Sequence, residues 1–185
     1  METVTVWTKQ HRDVLEELEG TGRHVARREY IQRDLKEDAA LVLETYDWLA
    51  RHSPDAVRRP PDVDYPTWVS FQSDAVMLPG PGFVILELNL ERDLVTEVNI
   101  AKWGAILNYS YIPLDEADAR RHRRLLAGFG VSDTKAYMSQ FYPEIKREII
   151  GSWDRLFDDT IQLGNSSAYG TIWEVKREWI RKIIE

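Results

Sequence analysis

Residues Gly82 to Tyr111, GFVILELNLERDLVTEVNIAKWGAILNYSY, decide the fold. Val84, Leu86, Leu88 and Leu90 recur at period two and so share one face of a strand. Phe83 and Ile85 begin the other face, and Glu87 and Asn89 continue it. A second face that is half apolar must be partly covered, which makes this strand central rather than an edge. Glu87 is read first as solvent-facing or paired, and only then as functional. Asn99 suits a helix N-cap, its side-chain oxygen accepting an amide of the first turn. Trp103, Ile106 and Leu107 then form the apolar face of a helix too short to stand without packing. This stretch is expected at the centre of the molecule's one core.

Outward from it, Thr3 to Trp7 (TVTVW) is rich in β-branched residues and reads as a first strand. Thr8 is positioned to cap a following helix with Val14, Leu15 and Leu18 as its stripe, ended by Gly20 and Gly22. Arg23 to Arg33 is basic and poorly periodic. A helix is expected from about Asp34, with Leu35, Ala39, Val42, Tyr46 and Leu49 on one face. Tyr65 to Phe71 reads as a strand, and Pro79-Gly80-Pro81-Gly82 as the turn into the central one. Asp115, Glu116 and Asp118 open a helix that ends in arginines, the charge order that suits its dipole. Pro143 starts another, carrying Ile145, Ile149, Trp153 and Leu156. Gly164 to Ala168 is a small-residue loop. Gly170 to Val175 is read as a last strand, and Trp179, Ile180, Ile183 and Ile184 as a closing helix. That order predicts an α+β fold: a single domain over residues 1–185, with a mixed or antiparallel sheet and flanking helices.

Composition narrows the chemistry. The chain has 185 residues, 43% hydrophobic and 30% charged, ordinary for a globular domain. There is no cysteine, which removes disulfides, thiolate metal sites and thiol nucleophiles together. The four histidines (His11, His24, His52 and His122) lack metal-ligand spacing. Neither a G-x-G-x-x-G nor a Walker phosphate loop is present. No apolar run approaches the ~18 residues of a membrane span. The start, Met1-Glu2-Thr3-Val4, has no leader pattern, so a cytoplasmic setting is expected. The net charge of −7 disfavours nucleic acid as a partner.

Seven tryptophans, among them Trp7, Trp68 and Trp103, either floor a pocket or fill a core, and core filling is the commoner use. Trp7-Thr8-Lys9-Gln10 is placed where the first strand becomes a helix, whose amides could bind an anion. The arginines from Arg120 to Arg124 read as a solvated face. Arg23, Arg27 and Arg28 carry more weight, because they follow a glycine break and flank Tyr30.

Trp7-Thr8-x-Gln10, Tyr46-Asp47-Trp48, Tyr65-Pro66-x-Trp68, Trp103 with Leu107-Asn108, Ser152 to Phe157 and Thr171-x-Trp173-Glu174 occur in this order. Together they resemble an uncharacterised bacterial family, domain of unknown function 3841, over nearly the whole chain. The chain departs from that pattern at Val98-Asn99-Ile100, where members carry Ser-Asp-Phe, and at Gly104, where they carry histidine. More distantly, the layout resembles ADP-ribosyltransferase-like folds. That likeness implies a nucleotide- or NAD-binding domain, catalytically degenerate because Thr171 stands where a catalytic glutamate is expected. It implies ligand contacts from Trp7, Thr8, Gln10, Trp68, Asn99, Trp103 and Thr171, with Glu174 as the carboxylate for any transfer. No resident cofactor is required, and NAD would enter as a substrate. Gln10, Trp68 and Glu174 are expected to converge on one concave surface, with a salt bridge as the plainer use of Glu174. The alternative reading is a non-catalytic protein- or nucleic-acid-interaction module.

Overall fold

A computed structural model describes residues 2–35, 39–76, 80–165 and 167–185. Pro79 of the predicted turn and Ser166 of the predicted loop lie outside the described residues. The fold is α+β, with antiparallel strand pairing, and the chain divides into two compact units: Met1–Glu97 with Ala168–Glu185, and Val98–Ser167.

The first unit is built on the strand that the alternation predicts. This strand, β4 (Phe83–Glu91), lies between β1 (Thr3–His11) and β8 (Ile180–Ile184). β1 runs antiparallel to it from Thr3↔Glu91 to His11↔Phe83. Val84, Leu86, Leu88 and Leu90 are all buried, in a cluster with Val6, Val69, Ile172 and Val175. Cutting one of these leucines back to alanine should cost about 2–5 kcal/mol, since the lost methyl groups leave a cavity behind. Glu87 accepts a bond from the Trp7 indole at 3.3 Å across the β1–β4 pair, so it is held rather than free.

Helix α1 (Val14–Thr21) adds Val14 and Leu18 to the same cluster. It ends at Gly22, whose left-handed φ of 76° lets its N–H reach back to the Leu18 carbonyl. The chain then makes β2 (Arg23–His24), α2 (Arg28–Leu35) and α3 (Ala39–His52). Helix thus begins ahead of the predicted Asp34, inside the stretch read as poorly periodic. Next comes β3 (Thr67–Val69), and β5 (Thr96–Asn99) carries the chain from the first unit into the second. After the second unit, β6 (Ala168–Ile172) pairs with β3, and β7 (Val175–Lys176) pairs with β2. Gly170 in β6 has to be glycine, because a Cβ there would meet Val95 Cγ1 at 2.5 Å and Val69 Cγ2 at 2.8 Å.

Several expectations are corrected. Thr8 caps no helix: β1 continues through it, because Thr8 is paired with Leu86 and its hydroxyl donates to the Trp68 carbonyl at 2.8 Å. The closing segment is a short 3-10 turn (Arg177–Trp179) and then a strand, not a helix. The open edge of β4 supplies ladder bonds that outweigh the helical spacing of Ile180, Ile183 and Ile184. β3 pairs with β6 and meets β1 at a Trp7–Ser70 bridge. Trp103 is buried but belongs to the second unit, outside the cluster around β4. Leu107, expected on a packed face, is exposed.

The second unit is helical: α4 (Ile100–Leu107), α5 (Glu116–Phe129), α6 (Asp133–Met138) and α7 (Pro143–Ser152), with a 3-10 segment at Trp153–Phe157. Asn99 caps α4 as expected, accepting the Lys102 amide at 3.0 Å. Asp115 caps α5 and Pro143 opens α7, and α5 runs beyond its arginines to Phe129. Ile145, Ile149, Trp153 and Leu156 are buried together as the spacing predicts.

Candidate functional site

In the first unit, a cavity of about 630 Å³ opens beside β1, α1 and β2. β1 delivers Gln10 and His11 to it, α1 delivers Glu16 and Glu17, β2 delivers His24, and the segment into α2 delivers Arg27 and Tyr30. The Gly22 turn makes this possible, because it folds β2 back so that His24 reaches the side of α1.

The interior of the cavity is organised by hydrogen bonds. His24 is only 3% exposed, and its Nδ1 lies 2.7 Å from Glu17 Oε2. Tyr30 stacks on the His24 ring, the centroids 6.1 Å apart and the planes 15° from parallel. Gln10 Nε2 donates to the Thr8 hydroxyl at 2.8 Å, and that hydroxyl passes its own hydrogen to the Trp68 carbonyl. Since Thr8 has only an acceptor left for Gln10, the amide orientation is fixed with its carbonyl oxygen turned away from Thr8. Asp13, Glu16 and Glu17 make the wall acidic, and Arg27 supplies a cation.

Of the expected site residues, Gln10 lines this cavity. Trp7 is held by Glu87, and Trp68 donates its indole N–H to the Tyr46 hydroxyl at 3.0 Å. Thr8 and Thr171 are buried, the latter 3.4 Å from the Thr96 carbonyl. Asn99 and Trp103 belong to the second unit, the first as a cap and the second as a buried ring. Glu174 pairs with Arg23 and lies 3.4 Å from Lys176. It lines a separate cavity of about 70 Å³ with Trp173 and Trp179. Gln10 and Glu174 line different cavities, and the Thr8 hydroxyl joins Gln10 to the Trp68 carbonyl. The expected salt bridge of Glu174 is present, and Arg23 also makes a fork to Asp62 at 2.8 and 3.2 Å.

The cavity brings in residues that the sequence reading passed over, Glu17 and His24 above all. The weight given to Arg27 and the residues around Tyr30 was the one local signal for it. The seven-residue separation of Glu17 and His24 spans a glycine turn and carries no motif. Lys102 was also missed: its ammonium is buried and donates to the Asp158 carbonyl at 2.7 Å, and burial lowers its pKa against the pull of Asp158 and Asp159.

Among the described residues, no group of three or more His, Asp or Glu is placed to hold a metal ion. Nor is any helix among them long and apolar enough to cross a membrane. No curated protein and no solved structure matches the chain. A family model does match, over residues 5–181, covering both units almost entirely, and the chain belongs to that family, Domain of unknown function (DUF3841).

Proposed function

We propose that the chain binds a small nucleotide-like ligand of the NAD or ADP-ribose class in the cavity beside β1, α1 and β2, and that Glu174 performs no transfer chemistry. The observation that carries this reading is the grouping of Gln10, stacked His24 and Tyr30, acidic side chains and Arg27 around one cavity. Flat rings accept a heteroaromatic base, carboxylates accept ribose hydroxyls, and one guanidinium suits a phosphate. The same acidic wall repels a polyanionic strand, which argues against nucleic acid. A catalytically degenerate domain fits Glu174 being occupied by Arg23.

Isothermal titration of the chain with ADP-ribose and with NAD tests this reading. Gln10→Ala and Tyr30→Ala should each weaken binding about tenfold, the effect of losing one good contact. Absence of heat with both ligands overturns it. The interaction-module alternative rests on the second unit, where Phe129, Met138 and Phe141 are exposed by 57%, 55% and 78%. Exposed apolar side chains of this kind mark partner surfaces when they are contiguous. Phe141→Ser that abolishes a partner interaction while leaving ADP-ribose binding absent would favour it.

A further inference from the structure

We propose that Glu17 and His24 form a proton-accepting dyad that receives a hydroxyl group of the ligand in this cavity, the ribosyl group being the class that fits. The ligand class rests on the reading above, whereas the dyad rests on geometry alone.

A carboxylate can only accept, so Glu17 at 2.7 Å places the ring hydrogen on Nδ1. Nε2 then carries the lone pair. Among the described residues no group bonds to it, and it is not one of their buried polar atoms left without a partner, so solvent in the cavity can reach it. Since the ring lines the cavity, a ligand held there can take the place of solvent and donate to this nitrogen. The dyad is also rigidly mounted. Glu17 sits within α1, while His24 is fixed by its pairing with Val175 and covered by Tyr30. An imidazole oriented in this way by a carboxylate is a strong acceptor at its other nitrogen.

The Thr21 hydroxyl, also at the cavity, is engaged 2.8 Å from the Glu17 carbonyl and 2.7 Å from that of Arg23. The chain has no cysteine. A ligand hydroxyl supplies the donor. Asp13, Glu16 and Glu17 select against an anionic group near the dyad, so a neutral sugar hydroxyl fits there, with any phosphate directed to Arg27. The contact is a hydrogen bond, and no covalent step is involved.

Long-range proton–nitrogen NMR on the full chain labelled at histidine tests both halves. In the free protein at neutral pH, His24 should show hydrogen on Nδ1 and a bare Nε2. Glu17→Leu should convert it to a mixture of tautomers. A ring protonated on Nε2 in the parent protein overturns the dyad, whatever the ligand does. Adding ADP-ribose should move the Nε2 resonance and leave Nδ1 in place, and His24→Gln should weaken ADP-ribose about tenfold, the effect of one hydrogen bond. ADP-ribose that binds without moving Nε2 overturns the hydroxyl contact. D-ribose at high concentration separates the two readings. A shift of Nε2 with ribose while ADP-ribose fails to bind removes the nucleotide reading and keeps the hydroxyl contact, and no shift with either overturns that contact.

Discussion

Two histidines, one in each unit, are equally buried at 3% exposure and are held in opposite ways. His122 on α5 has both ring nitrogens taken: Nε2 lies 2.6 Å from Asp133 Oδ1 and Nδ1 lies 2.8 Å from Glu148 Oε1. Tyr111 stacks on it with centroids 4.0 Å apart, and Arg121 braces Glu148 at 2.9 Å. His24 has one nitrogen taken, by Glu17, and its ring lines a cavity. A polar group satisfied on every side can do nothing except hold the fold. One satisfied on a single side is oriented and still has bonding capacity, which is what a binding site requires. The difference makes His122 a lock and His24 a candidate contact.

The sharpest way to break this comparison is deletion. His122→Leu leaves two carboxylates facing a buried, apolar replacement and should cost about 3 kcal/mol in urea unfolding. His24→Leu removes one bond, to the partly exposed Glu17, and should cost about 1 kcal/mol. Equal losses would mean that both histidines are structural.

A smaller effect comes from pH. Burial alone would lower the pKa of His122, but Asp133 and Glu148 outweigh it and raise the pKa above its ordinary value. The protonated ring is therefore the form that the native state prefers. Its contribution is complete below about 6.5, the unfolded value, and is lost as pH rises through the raised native value. The urea midpoint of the parent chain should fall across that window, and His122→Gln should flatten the fall. On the acid side, burial would raise Asp118, yet the Leu114 amide, the Tyr111 hydroxyl and Arg121 bring it down to about 2. Stability should accordingly decline as pH drops from about 4 toward 2, and Asp118→Asn should remove part of that slope.

How much of this could be read beforehand follows from how local each signal is. The alternation of Val84 to Leu90 needs only neighbours one residue apart, and it gave the central strand and its buried face. Asn99, Asp115, Pro143 and Gly22 act within one turn of their helices, so their roles were legible too. The segment Ile180–Ile184 was misread because its spacing suits a helix, while its partner, β4, lies about a hundred residues away. Thr8 was misread for a similar reason: cap and strand residues share the same side chain, and only the pairing with Leu86 separates them. The candidate site was the least legible part. Gln10 was found through a motif, but Glu17 and His24 meet only because a glycine turn folds one against the other; a salt bridge was foreseen for Glu174, whereas its partner, Arg23, lies far off in sequence.

Glu174 supplies the smallest expected effect, and the one that bears most directly on the rule drawn from the two histidines. Its carboxylate faces Arg23 on one side and Lys176 on the other, and Arg23 continues to Asp62. By the same reasoning a group held on both sides is structural, even next to Trp173 and a small cavity. Its side chain is 21% exposed and that of Arg23 is 31% exposed, so solvent screens the pair and Glu174→Gln should cost no more than about 1 kcal/mol. Glutamine keeps the shape and one acceptor, so the β2–β7 pair that brings Arg23 opposite Lys176 should survive. ADP-ribose binding, measured by titration on a variant with an unchanged circular dichroism spectrum, should then match that of the parent chain. A tenfold loss in that folded variant would return Glu174 to the site and show that a fully paired carboxylate can still serve a ligand here.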